Sequence, residues 1–233
     1  MSDHRVKQLD DIAGRLGAVR ERIAAAASRS GHPLESVRLV LASKTQPPDA
    51  IRAAYAAGAR DFGENYVQEA QIKRDETADL PDLRWHLIGH LQRNKAAIAR
   101  TIFELIHSLD NAALAAALAR AQPPSPAHVL IEVNIAGEPT KNGVAPADIE
   151  ALIESARALV DIRGLMTIPP AGDGDAARPY FASLREMRDR LARATGLALT
   201  ELSMGMSEDF ETAIAEGATI VRVGRAVFGE RSR

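Results

Sequence analysis

The chain has 233 residues, a length that allows one domain or two or a single α/β barrel of ordinary size. Hydrophobic residues make up 46% and charged residues 26%, an ordinary globular composition that excludes wholesale disorder. Lys and Arg number 29 against 31 Asp and Glu, so the net charge of −2 gives no electrostatic reason to expect nucleic acid or an anionic membrane, and the lack of cysteine excludes disulfides, thiolate metal sites and a Cys nucleophile.

Met1-Ser2-Asp3-His4-Arg5 leads into charged amphipathic sequence, not an apolar signal region. No apolar run approaches the roughly 20 residues needed to span a bilayer. The expectation is a soluble, cytoplasmic protein with a single domain over 1–233. From about Asp3 to Ser30, Leu9, Ile12, Leu16, Val19 and Ile23 recur at helical steps, and Gly31-His32-Pro33 stops the helix.

The chain then alternates. Val37–Ser43 reads as a strand and the Ala-rich stretch from Pro48 to Ala57 as a helix. Asp61–Asn65 is a weak strand, followed by a helix from Tyr66 to about Glu76. Arg84–Gly89 and Phe103–Leu109 are strand-like, with a short helix near Arg93 between them and a helix capped by Asn111 after them. His128–Ile135 is the clearest strand, with a helix from Pro146 to Val160 behind it. Asp161–Ile168 is strand-like, followed by a Pro/Gly loop and a long helix from about Ala177 to Ala194. Leu199–Met204 is a strand, Ser207–Glu216 a helix and Thr219–Val223 the last strand. Eight strands, the first seven each followed by a helix, predict a parallel sheet closed as a single TIM-type (β/α)8 barrel with an extra N-terminal helix. An open doubly wound sheet is the rival, but Ser43-Lys44-Thr45 follows the first strand where a dinucleotide fold would carry a Gly-rich turn.

The functional face of such a barrel lies at the C-terminal ends of its strands. Alternation puts Lys44 on the same face as Val40 and Ala42, with Leu39 and Leu41 turned to the helices, so Lys44 points into the barrel mouth. A desolvated lysine there is a nucleophile for a carbonyl carbon; the bland alternative is a strand-end lysine reaching solvent. Arg222, between Val221 and Val223, points into the interior and needs an acceptor, either a ligand atom or a structural carboxylate such as Glu132. Ser203-Met204-Gly205-Met206-Ser207, with Ser207 as helix cap, and Gly224-Arg225 after the last strand form two loops suited to a phosphate, although Glu208 and Asp209 oppose one. His86 and His90 do not form a helical pair, and His107 and His128 read as core histidines, so no metal site is expected.

A nucleophilic lysine, an inward arginine and a phosphate cup suit a ligand with a carbonyl and a phosphate, either pyridoxal 5′-phosphate (PLP) or a sugar phosphate. The stretches Leu41-Ala42-Ser43-Lys44-Thr45, Phe62-Gly63-Glu64-Asn65-Tyr66, Trp85–Lys95, Gly164–Pro169, Leu202–Ser207 and Val221–Gly224 resemble the pyridoxal phosphate homeostasis protein family, whose fold is like the N-terminal barrel of alanine racemase. The resemblance implies that Lys44 forms a Schiff base with PLP. It implies further that Ser203, Ser207 and Gly224 bind the phosphate, that Arg222 faces the pyridine nitrogen and that Asn65 lines the pocket. Lys141 matches a second lysine of the family in the loop after strand five. Arg225 departs from the small hydroxyl residue usual after Gly224, and either strengthens phosphate binding or turns to solvent. The implied function is a PLP carrier or buffer without strong catalysis, handing PLP to apo-enzymes; the alternative is a slow PLP-dependent racemase. The Ala-rich helix faces show no exceptional apolar patch, so a monomer is expected. The chain ends within ten residues of the last predicted strand and has only Tyr55, Tyr66 and Tyr180, so the second domain that supplies a racemase with its opposite-face tyrosine is not expected.

Overall fold

The computed structural model describes residues 11–123, 125–172 and 174–229. The predicted N-terminal helix is present as α1, Ile12–Arg29; its expected part before residue 11, with Leu9, lies outside the described residues. Ile12, Leu16, Val19, Ile23, Ala26 and Ala27 are its buried face, the three- and four-residue spacing of an amphipathic helix.

Eight strands follow: β1 Arg38–Ala42, β2 Asp61–Glu64, β3 Arg84–Leu87, β4 Leu105–Leu109, β5 His128–Glu132, β6 Asp161–Met166, β7 Glu201–Ser203 and β8 Ile220–Val223. They pair in sequence order, all parallel, and β8 returns to β1 to close the barrel. The predicted barrel is therefore the observed one, and the open-sheet rival is excluded. Between and after the strands lie α2 Pro48–Ala56, α3 Val67–Glu76, α4 Ala96–Ile102, α5 Ala112–Arg120, α6 Ile149–Ala156, α7 Gly174–Thr195, α8 Phe210–Ala215 and α9 Arg225–Phe228. Pro48 opens α2 at a position where a missing N–H loses nothing, and Asn111 caps α5 by accepting the Leu114 N–H at 2.8 Å.

Packing falls into two layers, as strand alternation requires. Val40, Ile88, Leu105, Leu130, Met166 and Ile220, with Ala42 against them, fill the barrel interior. Leu41, Phe62, Leu87, Ile131, Val221 and Val223 face the helices. The inner layer is only partly apolar, because His86, His107, Ser203, Glu132 and Arg222 are also buried there. Two local expectations change. α8 starts at Phe210, three residues after the expected start, because Ser207–Asp209 form a turn in which the Asp209 carboxylate accepts the Met206 N–H; Ser207 is not a helix cap. His128, expected in the core, is exposed at the start of β5, where Nδ1 meets Asp161 Oδ2 at 2.9 Å. Among the described residues, no helix is long and apolar enough to cross a membrane.

Candidate functional site

Lys44 stands in the turn directly after β1, and its side chain lines a cavity of about 630 Å³ at the C-terminal ends of the strands. The volume is that of an ordinary small-molecule site. Asn65 after β2, Ile88 after β3, Ile168–Gly172 after β6, Met206–Asp209 after β7, and Gly224 and Arg225 after β8 complete most of the wall. Gly89 sets one edge. A Cβ there would stand 2.5 Å from the Asn65 carbonyl oxygen, so only glycine lets the exit of β3 pass Asn65 this closely. Gly224 plays a similar part beside β1, where a Cβ would stand 3.0 Å from the Ala42 carbonyl oxygen.

A buried polar cluster holds the Lys44 turn. Ser43 Oγ donates to Glu64 Oε1 at 2.6 Å, and Lys73 Nζ donates to the Ser43 carbonyl at 2.7 Å and to Glu64 Oε1 at 2.8 Å. Lys73 also reaches Glu69 Oε1 at 2.7 Å, and that oxygen accepts the Thr45 N–H at 2.6 Å. Thr45 has φ +66°, a left-handed conformation that a β-branched residue adopts only when its surroundings impose it. Burial pushes the Glu64 carboxyl above the usual range, partly offset by Lys73. Sequence patterning did not find this cluster; its visible trace was Glu69 and Lys73 four residues apart on α3.

Arg222 projects into the barrel from β8, 4% exposed, and lines the same cavity. Among the described residues its acceptors are not the expected carboxylate. Nη1 donates to Ser203 Oγ at 2.6 Å and Nη2 to the Thr167 carbonyl at 2.9 Å. Glu132, the expected carboxylate partner, makes no hydrogen bond to Arg222 and attracts it only through space. Burial pushes the guanidinium down to about 10, against the pull of Glu132 and Asp209, so it stays a cation at neutral pH. Glu132 Oε2 is buried without a hydrogen-bond partner among the described residues; burial, helped by Asp110 and opposed by Arg222, raises this carboxyl to about 7.

The two expected phosphate loops meet. Ser207 Oγ accepts the Ala226 N–H at 3.3 Å, and the amides of Ser207, Glu208 and Arg225 have no main-chain acceptor among the described residues. Arg225 Nη2 donates to Glu208 Oε1 at 2.6 Å on the exposed rim, so each neutralises the other. Ser203 does not line the cavity. Its hydroxyl is buried between Arg222 and His107, and it reaches the site only through Arg222. Lys141 lies outside the main cavity, in an adjoining pocket of about 210 Å³ with Glu132 and Asn134. Lys141 Nζ pairs with Glu138 Oε1 at 2.6 Å and donates to the Pro169 carbonyl at 3.0 Å; Ile168 lines both pockets.

The family model described as alanine racemase, N-terminal domain, matches residues 15–232. The pyridoxal phosphate homeostasis protein of Aquifex aeolicus (strain VF5) is 48% identical over 222 residues, covering 93% of this chain and 97% of that protein. The chain belongs to the pyridoxal phosphate homeostasis protein family. Its namesake from Pseudomonas aeruginosa PAO1 is 45% identical over 228 residues, covering 96% of this chain and 97% of that protein. Among solved structures, PipY of Synechococcus elongatus PCC7942 with PLP bound is 44% identical; it superposes with a TM-score of 0.82 over 94% of this chain and 100% of that one. This homeostasis-family member thus carries Lys44, Asn65, Ser207, Arg222, Gly224 and Arg225 around one cavity, with Ser203 and Lys141 set behind its walls.

Proposed function

We propose that this protein binds PLP in the cavity at the barrel mouth, linked to Lys44 as a Schiff base, and acts as a carrier or buffer of PLP without strong catalysis of its own. The observation that carries this reading is the donor set. One cavity is lined by a lysine amine, a buried guanidinium, and three loop amides with no main-chain acceptor among the described residues. These groups match an aldehyde, a pyridine nitrogen and a phosphate, the three reactive or polar ends of PLP. When bound, PLP supplies an electrophilic carbon and, if its ring nitrogen is protonated, an electron sink.

The chain's own residues favour holding over turnover. The Lys44 amine would hold the aldehyde carbon with release of water, and the link would be undone either by water or by exchange with a competing amine that frees the Lys44 amine. Arg222 is a permanent cation beside the proposed ring nitrogen, which disfavours protonation of that nitrogen and so weakens the sink. Ser207, Gly224 and the loop amides would hold the phosphate, Arg225 would screen Glu208 at the rim, and Asn65 would flank the ring. The whole chain, 1–233, would serve as one PLP-binding domain, monomeric in the cytoplasm, with apo forms of PLP enzymes as recipients.

Borohydride reduction of the protein as purified, followed by peptide mass mapping, tests the reading. A phosphopyridoxyl group on Lys44 is expected; an unmodified Lys44 after saturation with PLP would overturn it. Solvent-deuterium incorporation into amino acids well above that caused by free PLP would replace the carrier with a racemase-like enzyme.

A further inference from the structure

Five side chains behind Arg222 form a hydrogen-bonded chain across the barrel interior, and only one order of protons satisfies it. It starts at the opposite end of the barrel, where Arg84 holds Asp61 with Nε at 2.8 Å and Nη2 at 2.7 Å. Burial alone would raise the Asp61 carboxyl, but the hydrogen bonds from Arg84 and His86 overcome it and hold Asp61 far below the usual carboxylate range. Asp61 is therefore an ionised, accepting group. His86 Nε2 lies 3.0 Å from Asp61 Oδ1 and must carry its proton there. His86 Nδ1 lies 3.1 Å from His107 Nε2, and His107 Nδ1 lies 2.8 Å from Ser203 Oγ. Ser203 Oγ in turn accepts from Arg222 Nη1.

His107 is wholly buried, and burial, with the cations Arg222 and Arg38 near it, keeps it neutral. Two proton orders then remain. With His86 also neutral, its bare Nδ1 accepts from His107 Nε2–H, the bare His107 Nδ1 accepts from Ser203 Oγ–H, and the serine lone pair is left for Arg222. With His86 protonated on both nitrogens, the direction reverses at His107. Ser203 would then receive two donors and its own proton would need a third partner, yet His107 and Arg222 are its only side-chain partners among the described residues. Only the first order leaves no donor without an acceptor.

We propose that His107 is the positioning residue for Arg222: with its proton on Nε2, anchored through His86 to Asp61, it keeps the Ser203 hydroxyl turned away from the guanidinium and so fixes Arg222 at the cavity wall. Four of these groups come from inward positions of different strands, β3, β4, β7 and β8, so the alignment is a property of the closed barrel and not of a loop. The effect on the bound ring rests on PLP occupying the cavity with its nitrogen at Arg222. The proton order of the histidines does not depend on that.

The test uses the full-length chain with and without saturating PLP. Long-range nitrogen–proton NMR of the imidazoles should show Nε2 protonated and Nδ1 bare in both His86 and His107. A proton on His107 Nδ1 would overturn the proposal, and this measurement needs no variant to fold. His107→Phe should weaken PLP binding about tenfold, the size that supports behind a ligand contact commonly carry, and should shift the absorption band of the bound cofactor. His107→Asn, whose side-chain oxygen stands near the position of Nδ1, should restore most of both. Equal losses in the two variants, or a band unchanged in His107→Phe, would mean that His107 only fills space. If wild-type protein shows no cofactor band at all, the PLP reading fails, whereas the imidazole spectra still decide the proton order.

Discussion

Glu132 is a sensitive probe of the electrostatics inside the barrel, because one oxygen of its carboxylate is buried without a partner among the described residues and Arg222, the cation that attracts it, is not bonded to it. Its carboxyl is raised from 4.5 to about 7, chiefly by burial. The folded protein therefore holds this proton more tightly than the unfolded chain does. By linkage, the stability the proton contributes is fully present below about 4.5 and is lost as pH rises to about 7. At about 1.4 kcal/mol per pH unit over that window, the loss between pH 5 and pH 8.5 is about 2–3 kcal/mol. Glu132→Gln keeps the shape and cannot ionise. It should match the wild type to within about 1 kcal/mol at pH 5, since Gln and a protonated Glu differ little in size, and exceed it by about 2–3 kcal/mol at pH 8.5. Urea unfolding of cofactor-free protein at the two pH values reads this directly, because all other titrations are shared and cancel in the difference. Parallel pH dependence in wild type and variant would refute the reasoning and would mean that Glu132 is ionised throughout.

The other expectations concern the site and its supports. Lys44→Ala should abolish the borohydride-trapped adduct while the unfolding free energy of the cofactor-free protein changes by less than about 0.5 kcal/mol, because a half-buried turn residue contributes little packing; a large fall in melting temperature would contradict this. Lys73→Met should lower stability by about 3–5 kcal/mol in urea unfolding, since it leaves Glu64 buried without its cation, and should also slow PLP capture by freeing the Lys44 turn. Unchanged stability would mean that Glu64 takes up a proton at no loss. Arg222→Glu should favour a protonated ring nitrogen, so an unaltered absorption spectrum of bound PLP would count against the contact assigned to Arg222.

What could be read from the sequence divides along the range of the interactions involved. Alternation is local, so the inward placement of Arg222 and the outward placement of Leu41, Val221 and Val223 followed from period-two patterning once a strand was assumed. The strand order followed from strict alternation with helices. Partner choice is not local. Glu132 was the nearest carboxylate by pattern, but β7 and the chain after β6 bring Ser203 and the Thr167 carbonyl to Arg222 first. Ser203 looked like a phosphate ligand because it heads a loop of phosphate-binding type; its strand register turns the hydroxyl inward to His107. The three-residue error at α8 has the same origin, since the turn is set by the Asp209 carboxylate and not by the serine that starts it. The Glu64–Lys73 pair joins residues nine apart in different elements and has no periodic signature.

The charges around the cavity also bear on which ligand the barrel can hold. Arg222 brings a full positive charge, and both of its acceptors, a hydroxyl and a main-chain carbonyl, are neutral. The carboxylate that could balance it, Glu132, is half protonated near neutral pH, and Asp209, which also attracts Arg222, is tied to the Met206 N–H. Lys44 also lines the cavity, and Glu208 is paired with Arg225. Arg222 is therefore a cation in the cavity wall whose own hydrogen bonds supply no counter-charge. A buried cation without a carboxylate is costly to keep unless a ligand completes it. An anionic phosphoester with a ring acceptor would relieve that deficit at both ends. A neutral keto-sugar would leave Arg222 as it stands, and for that reason PLP fits this electrostatic pattern better than a ligand matched to Lys44 alone.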